Sequence, residues 1–177
     1  GNSVTQKVVE WVKTKRNLQL TTRLEKSLFR RCERAKCLLG SPGGSSASQI
    51  IELGDAFSVP DIELSRPLLE HLCETLFVSI GESIERAMRD AHKEVSDVNE
   101  VIVSGGSALL PGLREFVSRK FKGSGVNCAI DPRIVASYGA AVQSAILTGA
   151  AGAKCHDLLL LDVTPLTLGI ETVDGKI

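Results

Sequence analysis

The sequence predicts an α/β fold in which helices pack on small sheets. Three observations predict it. Leu69, Leu72, Leu76, Ile80, Ile84, Met88 and Ala91 recur at three- and four-residue spacing for about seven helical turns. An apolar run at 97–103, a glycine turn at 104–107 and a helical pattern at 113–121 follow one another in the order strand, turn, helix. Short β-prone runs flank Gly54-Asp55. With 177 residues, 43% of them hydrophobic, the chain has enough apolar surface for one sizeable core or two small ones.

Taken in order, Val4, Val8, Trp11 and Val12 give a helix over 3–15, and Asn17 to Thr22 supplies turn and capping residues. A second helix runs from Thr22 to Leu39, with Leu24, Leu28, Cys32 and Ala35 on one stripe. Gly40 to Ser46, rich in Gly and Ser with one Pro, breaks the chain. Gln49 to Leu53 and Ala56 to Val59 then read as a hairpin around Gly54-Asp55. Ser65 opens the long helix, with Pro67 in its first turn. Pro132 to Leu147 reads as a small-residue helix suited to close packing on a sheet. Beyond a flexible stretch at 149–154, four leucines, Leu158 to Leu161, stand between Asp157 and Asp162; they fit either a core strand or a docking segment. Thr164 to Thr172 alternates like a strand, and Asp174-Gly175 reads as a hairpin turn.

Composition narrows function. No window approaches the roughly 20 apolar residues of a membrane helix. The five cysteines, Cys32, Cys37, Cys73, Cys128 and Cys155, form no C-x-x-C pair, so neither a disulfide framework nor a zinc site is indicated. His71, His92 and His156 are scattered, with no matching nucleophile or carboxylate pattern, so no catalytic residue and no metal ligand is assigned. Net charge is zero, yet residues 1–36 hold ten Lys or Arg against Glu10, Glu25 and Glu33. Those charges are spread around two helices and aromatics are sparse, which argues against nucleic-acid binding.

Two constellations can carry chemistry. In Ser104-Gly105-Gly106-Ser107 the missing Cβ atoms let backbone N–H groups approach a phosphate, although such turns are also ordinary punctuation between strand and helix. No Gly-Lys-Ser or Gly-Lys-Thr closes it, so it is not a Walker A loop. Glu33 and Lys36 share a helix face and fit either a simple ion pair or an acceptor and donor for a nucleoside.

In colinear order the chain resembles the 70-kDa heat-shock protein family of DnaK-like chaperones. The resemblance rests on Cys32-Glu33-Arg34-Ala35-Lys36, on Ser104-Gly105-Gly106-Ser107 followed by Pro111, on Tyr138 to Gln143 followed by Ala145-Ile146-Leu147, and on Asp157 through Glu171. It implies lobe II of an actin-like (ribonuclease H-like) ATPase. Residues 1–78 would be its outer subdomain, 79–150 its inner and incomplete subdomain, 151–163 an interdomain linker, and 164–177 the start of a peptide-binding β-domain. It implies ATP or ADP as ligand, bound by Glu33, Lys36, Gly40, Gly105, Gly106, Ser107, Leu109 and Arg133, with Mg²⁺ reaching the site through the missing lobe. Nucleotide-exchange factors, J-domain cochaperones and unfolded client peptides would be the partners, and the cytoplasm the location. The first phosphate loop, the catalytic lysine and the metal-associated carboxylates would precede this chain, so hydrolysis by the segment alone is not expected. Sheet edges would be left open, and a companion segment or longer chain is expected. The sequence departs from the family pattern where the purine would sit. Cys37 and Leu109 stand where many relatives carry base-sandwiching arginines, Gly40 where a serine is usual, and Arg133 where an aspartate is usual. These departures suit an alternative, a degenerate chaperone-like adaptor that no longer binds ATP tightly.

Overall fold

The structure, a computed structural model, describes residues 1–41, 47–122 and 125–150, and beyond them only 152, 155, 158, 160, 164, 166–170, 172 and 173. It divides into two compact units, 1–136 and 137–177.

The first unit opens with α1 (Asn2–Arg16) and α2 (Thr22–Gly40). Asn17 ends α1 in the left-handed conformation, and Leu18 N–H bonds back to the Lys13 carbonyl at 2.9 Å, so orphan carbonyls are satisfied and the chain reverses. A Lys13–Glu25 ion pair ties the two helices together. Val4, Val8, Val9 and Val12 of α1 meet Leu28, Cys32, Ala35 and Leu39 of α2. The predicted stripe is therefore correct at Leu28, Cys32 and Ala35, while Leu24 packs only at the margin.

The hairpin differs from expectation. β1 (Ser48–Ile51) pairs antiparallel with β2 (Ile62–Ser65), not with 56–59, and Gly54–Phe57 coil into a short α3. Asp61 supplies the reason. Its Oδ1 accepts from the N–H groups of Leu53 and Gly54 at 2.7 and 3.2 Å, which curls the chain and drives Phe57 inward. Pro60, with no N–H to give, could not serve the ladder.

α4 (Arg66–Asp90) follows, capped by Ser65, whose Oγ accepts from Leu68 N–H at 3.3 Å. Its first half closes the α1–α2 core through Leu69 and Cys73, and its later turns help cover a second, smaller cluster of Val101, Leu113, Val117 and Phe121. There β3 (Val101–Ile102), α5 (Leu113–Lys120) and β4 (Val126–Asn127) make a βαβ unit with parallel strands. The strand expected over 97–103 shrinks to two residues because Val95–Asp97 forms a 3₁₀ turn closed by Asp97 on the Glu94 N–H. β4 was not expected, since a lone valine between Gly125 and Asn127 shows no periodicity.

The second unit is carried, among its described residues, by α6 (Val135–Leu147), which begins at the end of the first unit. None of its side chains is buried. The alternating segment at 164–172 forms no strand among its described residues, Leu158 and Leu160 are exposed, and the Asp174-Gly175 turn lies outside the described residues. No described helix is long and apolar enough to cross a membrane.

Candidate functional site

Four separate segments of the first unit converge on a cavity of about 340 Å³. α2 contributes Glu33, Lys36, Cys37 and Gly40, successive positions of one helical face. The turn after β3 contributes Gly106, Ser107 and Leu109, the segment before α6 contributes Arg133, and Gly1, Ser41 and Leu110 complete the lining. Of the eight residues expected at a ligand site, seven are therefore neighbours here and Gly105 is not. A roomier groove of about 660 Å³ between α2 and β1 carries Arg30, Arg31 and Arg34 and none of the eight.

Gly105 acts behind the lining. Its φ of +85° belongs to glycine, and its N–H donates to the Pro132 carbonyl at 2.7 Å, tying the turn to the segment that bears Arg133. Gly106 has nothing within 4 Å of where a Cβ would sit, so its backbone is open to the cavity. Gly40 is the opposite case: a Cβ there would stand 2.7 Å from the Leu109 carbonyl oxygen. The end of α2 and the 106–109 turn thus touch backbone to backbone, and a side chain at position 40 would fit only if that backbone shifted.

Polar groups in the wall are bound to one another. Lys36 is buried, and its ammonium donates to Glu33 Oε2 at 2.6 Å, Thr5 Oγ1 at 3.0 Å and the Gly1 carbonyl at 3.3 Å. Thr5, fully buried, donates in turn to Glu33 Oε2. Cys37 Sγ donates to Glu33 Oε1 at 3.3 Å. Partial burial by itself would raise the Glu33 pKa, but hydrogen bonds from Lys36, Thr5 and Cys37, with the Lys36 charge, outweigh it and hold the carboxyl below its ordinary range. Burial and the neighbouring carboxylate push the Cys37 thiol up, so it is a weak nucleophile. Arg133 clamps Asp131 through Nε at 3.1 Å and an η nitrogen at 2.6 Å; that guanidinium holds the Asp131 carboxyl down at about 2.

The cavity volume falls at the lower end of the range typical for small-molecule sites, about 300–1,000 Å³. Its chemistry is a polar wall in which Lys36 is paired to Glu33 and Arg133 to Asp131, with a partly exposed acceptor at Glu33, a serine hydroxyl at Ser107, an open glycine backbone and an apolar side formed by Leu109 and Leu110. Among the described residues no cluster of His, Cys, Asp or Glu could hold a metal. Sequence reasoning named Cys37 only as a departure and missed Gly1, Ser41 and Leu110. Ser41 carried a signal, four positions after Cys37 on the same face; the place of Gly1 is tertiary.

The family model described as Hsp70 protein matches residues 1–177. Relatives similar to this chain include a heat shock 70 kDa protein of Trichophyton rubrum, 40% identical over 92% of this chain and 25% of the relative. Another, from Ajellomyces capsulatus, is 42% identical over 81% of this chain and 20% of the relative. The heat shock 70 kDa protein BIP3 of Oryza sativa subsp. japonica is 36% identical over 97% of this chain and 26% of the relative. The chain spans about a quarter of the length of these relatives. With the family model matched from end to end, the chain belongs to the Hsp70 family.

Proposed function

We propose that the chain is lobe II of an Hsp70-type, actin-like ATPase domain and supplies the adenosine-side half of a nucleotide cleft. In this reading residues 1–78 are the outer subdomain, 79–150 the inner one, 151–163 the linker, and 164–177 the start of a peptide-binding domain. The observation that carries it is the single cavity shared by Glu33, Lys36, Gly40, Gly106, Ser107, Leu109 and Arg133. ATP or ADP, when bound, supplies the free energy of its phosphate chain. Glu33 would accept from sugar hydroxyls, the Gly106 backbone and Ser107 would lie against the first phosphate, and Leu109 and Leu110 would exclude water from the base. Hydrolysis, Mg²⁺ coordination and peptide grip belong to the longer parent protein, a chaperone that works in the cytoplasm with exchange factors, J-domain cochaperones and unfolded peptides. Open edges support this: β3 and β4 form a two-stranded sheet among the described residues, and Ile102 is 65% exposed, a surface suited to covering by further chain.

A second reading, a chaperone-like adaptor without tight ATP binding, draws support from Cys37, Leu109 and the Arg133–Asp131 clamp. Calorimetric titration of the chain with ADP and ATP separates the two. Submillimolar binding is expected of the cleft, whereas no heat from a chain with a folded circular dichroism spectrum would leave the adaptor.

A further inference from the structure

We propose that the arginine-lined groove between α2 and β1 binds an extended acidic peptide, which joins the open edge of β1 as a third strand. The groove measures about 660 Å³, and none of its described lining residues belongs to the proposed nucleotide site. A peptide held there leaves the nucleotide reading untouched.

Register fixes which backbone groups are available. Arg66 N–H donates to the Ala47 carbonyl at 2.9 Å, which makes 47 and 66 a hydrogen-bonded pair one step beyond the Ser48–Ser65 pairing. Such pairs alternate along an antiparallel ladder, so Gln49 and Ile51 turn their N–H and C=O groups to β2, while Ser48, Ile50 and Glu52 turn theirs the other way. The Glu52 carbonyl accepts from Arg31 at 2.8 Å, as expected of a group on that outer edge. Among the described residues β1 has β2 as its one strand neighbour, so the N–H and C=O groups of Ser48 and Ile50 are a template for one more strand.

Charge selects what that strand carries. Three arginines and one acid, Glu52, stand in the described lining. Arg31 is held by the Glu52 carbonyl and lies 5.7 Å from the centre of the Phe57 ring. Arg30 and Arg34 are exposed, and neither forms an ion pair among the described residues. With Leu38, 44% exposed, they follow one another at four-residue spacing along one ridge of α2. One such step rises about 6 Å along a helix, and two residues of an extended strand span roughly 6.6 Å, so the two ladders keep step. A chain patterned acid, any, acid, any, apolar therefore sets its carboxylates against Arg30 and Arg34 and its apolar side chain against Leu38, beside the exposed Ile50. A helical ligand has its own backbone groups already paired and could not use the edge.

The test is fluorescence anisotropy of a labelled, end-blocked peptide, Thr-Thr-Asp-Thr-Asp-Thr-Leu-Thr-Thr, titrated with the whole 177-residue chain. A Kd on the order of 10–100 μM is expected, weakening at least about threefold between roughly 50 and 300 mM NaCl. Arg30→Glu combined with Arg34→Glu, at exposed positions that leave the circular dichroism spectrum unchanged, should weaken binding about tenfold. That variant should instead prefer the same peptide with lysines in place of the aspartates. N-methylation of the aspartates and of the intervening threonines should differ in effect, because one alternate set of backbone N–H groups faces β1. Equal tolerance of both methylations overturns strand addition. Equal binding by a peptide whose two aspartates are adjacent reduces the groove to an unspecific cationic patch and overturns the proposal. No saturable binding, or binding that the double substitution leaves intact, overturns the site itself.

Discussion

The two hydrophobic clusters of the first unit use the same kinds of side chain to different depth. Around α1, α2 and the β1–β2 hairpin, Val8, Val12, Leu28, Cys32, Leu53 and Leu64 are completely buried. Around β3, α5 and β4, Val101, Leu113, Val117 and Phe121 all retain some exposure, and the strands are two residues long. α4 serves both, but only the first cluster has a second long helix and a paired hairpin to close it. A core seals only when every apolar face meets another, and the difference teaches that the α1–α2 and hairpin region closes its own core while the βαβ region leaves apolar side chains partly exposed.

Truncation at the deepest point should break that comparison most visibly. Leu28→Ala, at a site with no exposure, is expected to cost about 2–5 kcal/mol in urea unfolding, whereas Val117→Ala, on α5, should cost only about 1–2 kcal/mol. Equal losses would mean that the second cluster is as tightly closed as the first. Next in size is the seam between the regions. Gly40→Ala puts a Cβ against the Leu109 carbonyl, and since backbone must move, overpacking should exceed the helix-propensity gain and leave a net loss of about 1–2 kcal/mol. A stabilised Gly40→Ala protein in thermal melts would show that the turn after β3 yields freely. The smallest effect is acid-dependent. The Glu33 carboxyl is held below its ordinary pKa of 4.5, so its contribution is complete above that value and fades as pH falls through the folded-state pKa. Glu33→Gln should accordingly flatten the decline of the urea midpoint between about pH 5 and pH 3. An unchanged acid limb would place the titrating group elsewhere.

Legibility followed the length over which a pattern repeats. The helix at 66–90 announces itself through seven apolar positions, a serine cap and a proline, and its start is found within a residue. α2 is equally plain, and so is the glycine turn between β3 and α5. By contrast, the hairpin partner was misplaced because the deciding contact, Asp61 to Leu53 and Gly54, joins residues seven and eight apart through a side chain. β4 left almost no trace, since two residues cannot display alternation. In the candidate site, the types of residue were readable, but not their mutual satisfaction. Glu33 and Lys36 satisfy a simple helix-face pairing, and only the fold adds Thr5 and the Gly1 carbonyl, which occupy the remaining protons of Lys36.

By itself, the chain of residues determined which segments coil, where glycine permits a tight turn, and which family the protein belongs to, because these depend on local spacing and on motif order. Tertiary structure decided that Gly1, α2, the 106–109 turn and the approach to α6 share one cavity, and that Lys36 and Arg133 there are each held by a carboxylate. Hydrogen-bond valence and charge are settled by whichever groups arrive within about 3 Å, and arrival is a property of packing rather than of sequence distance.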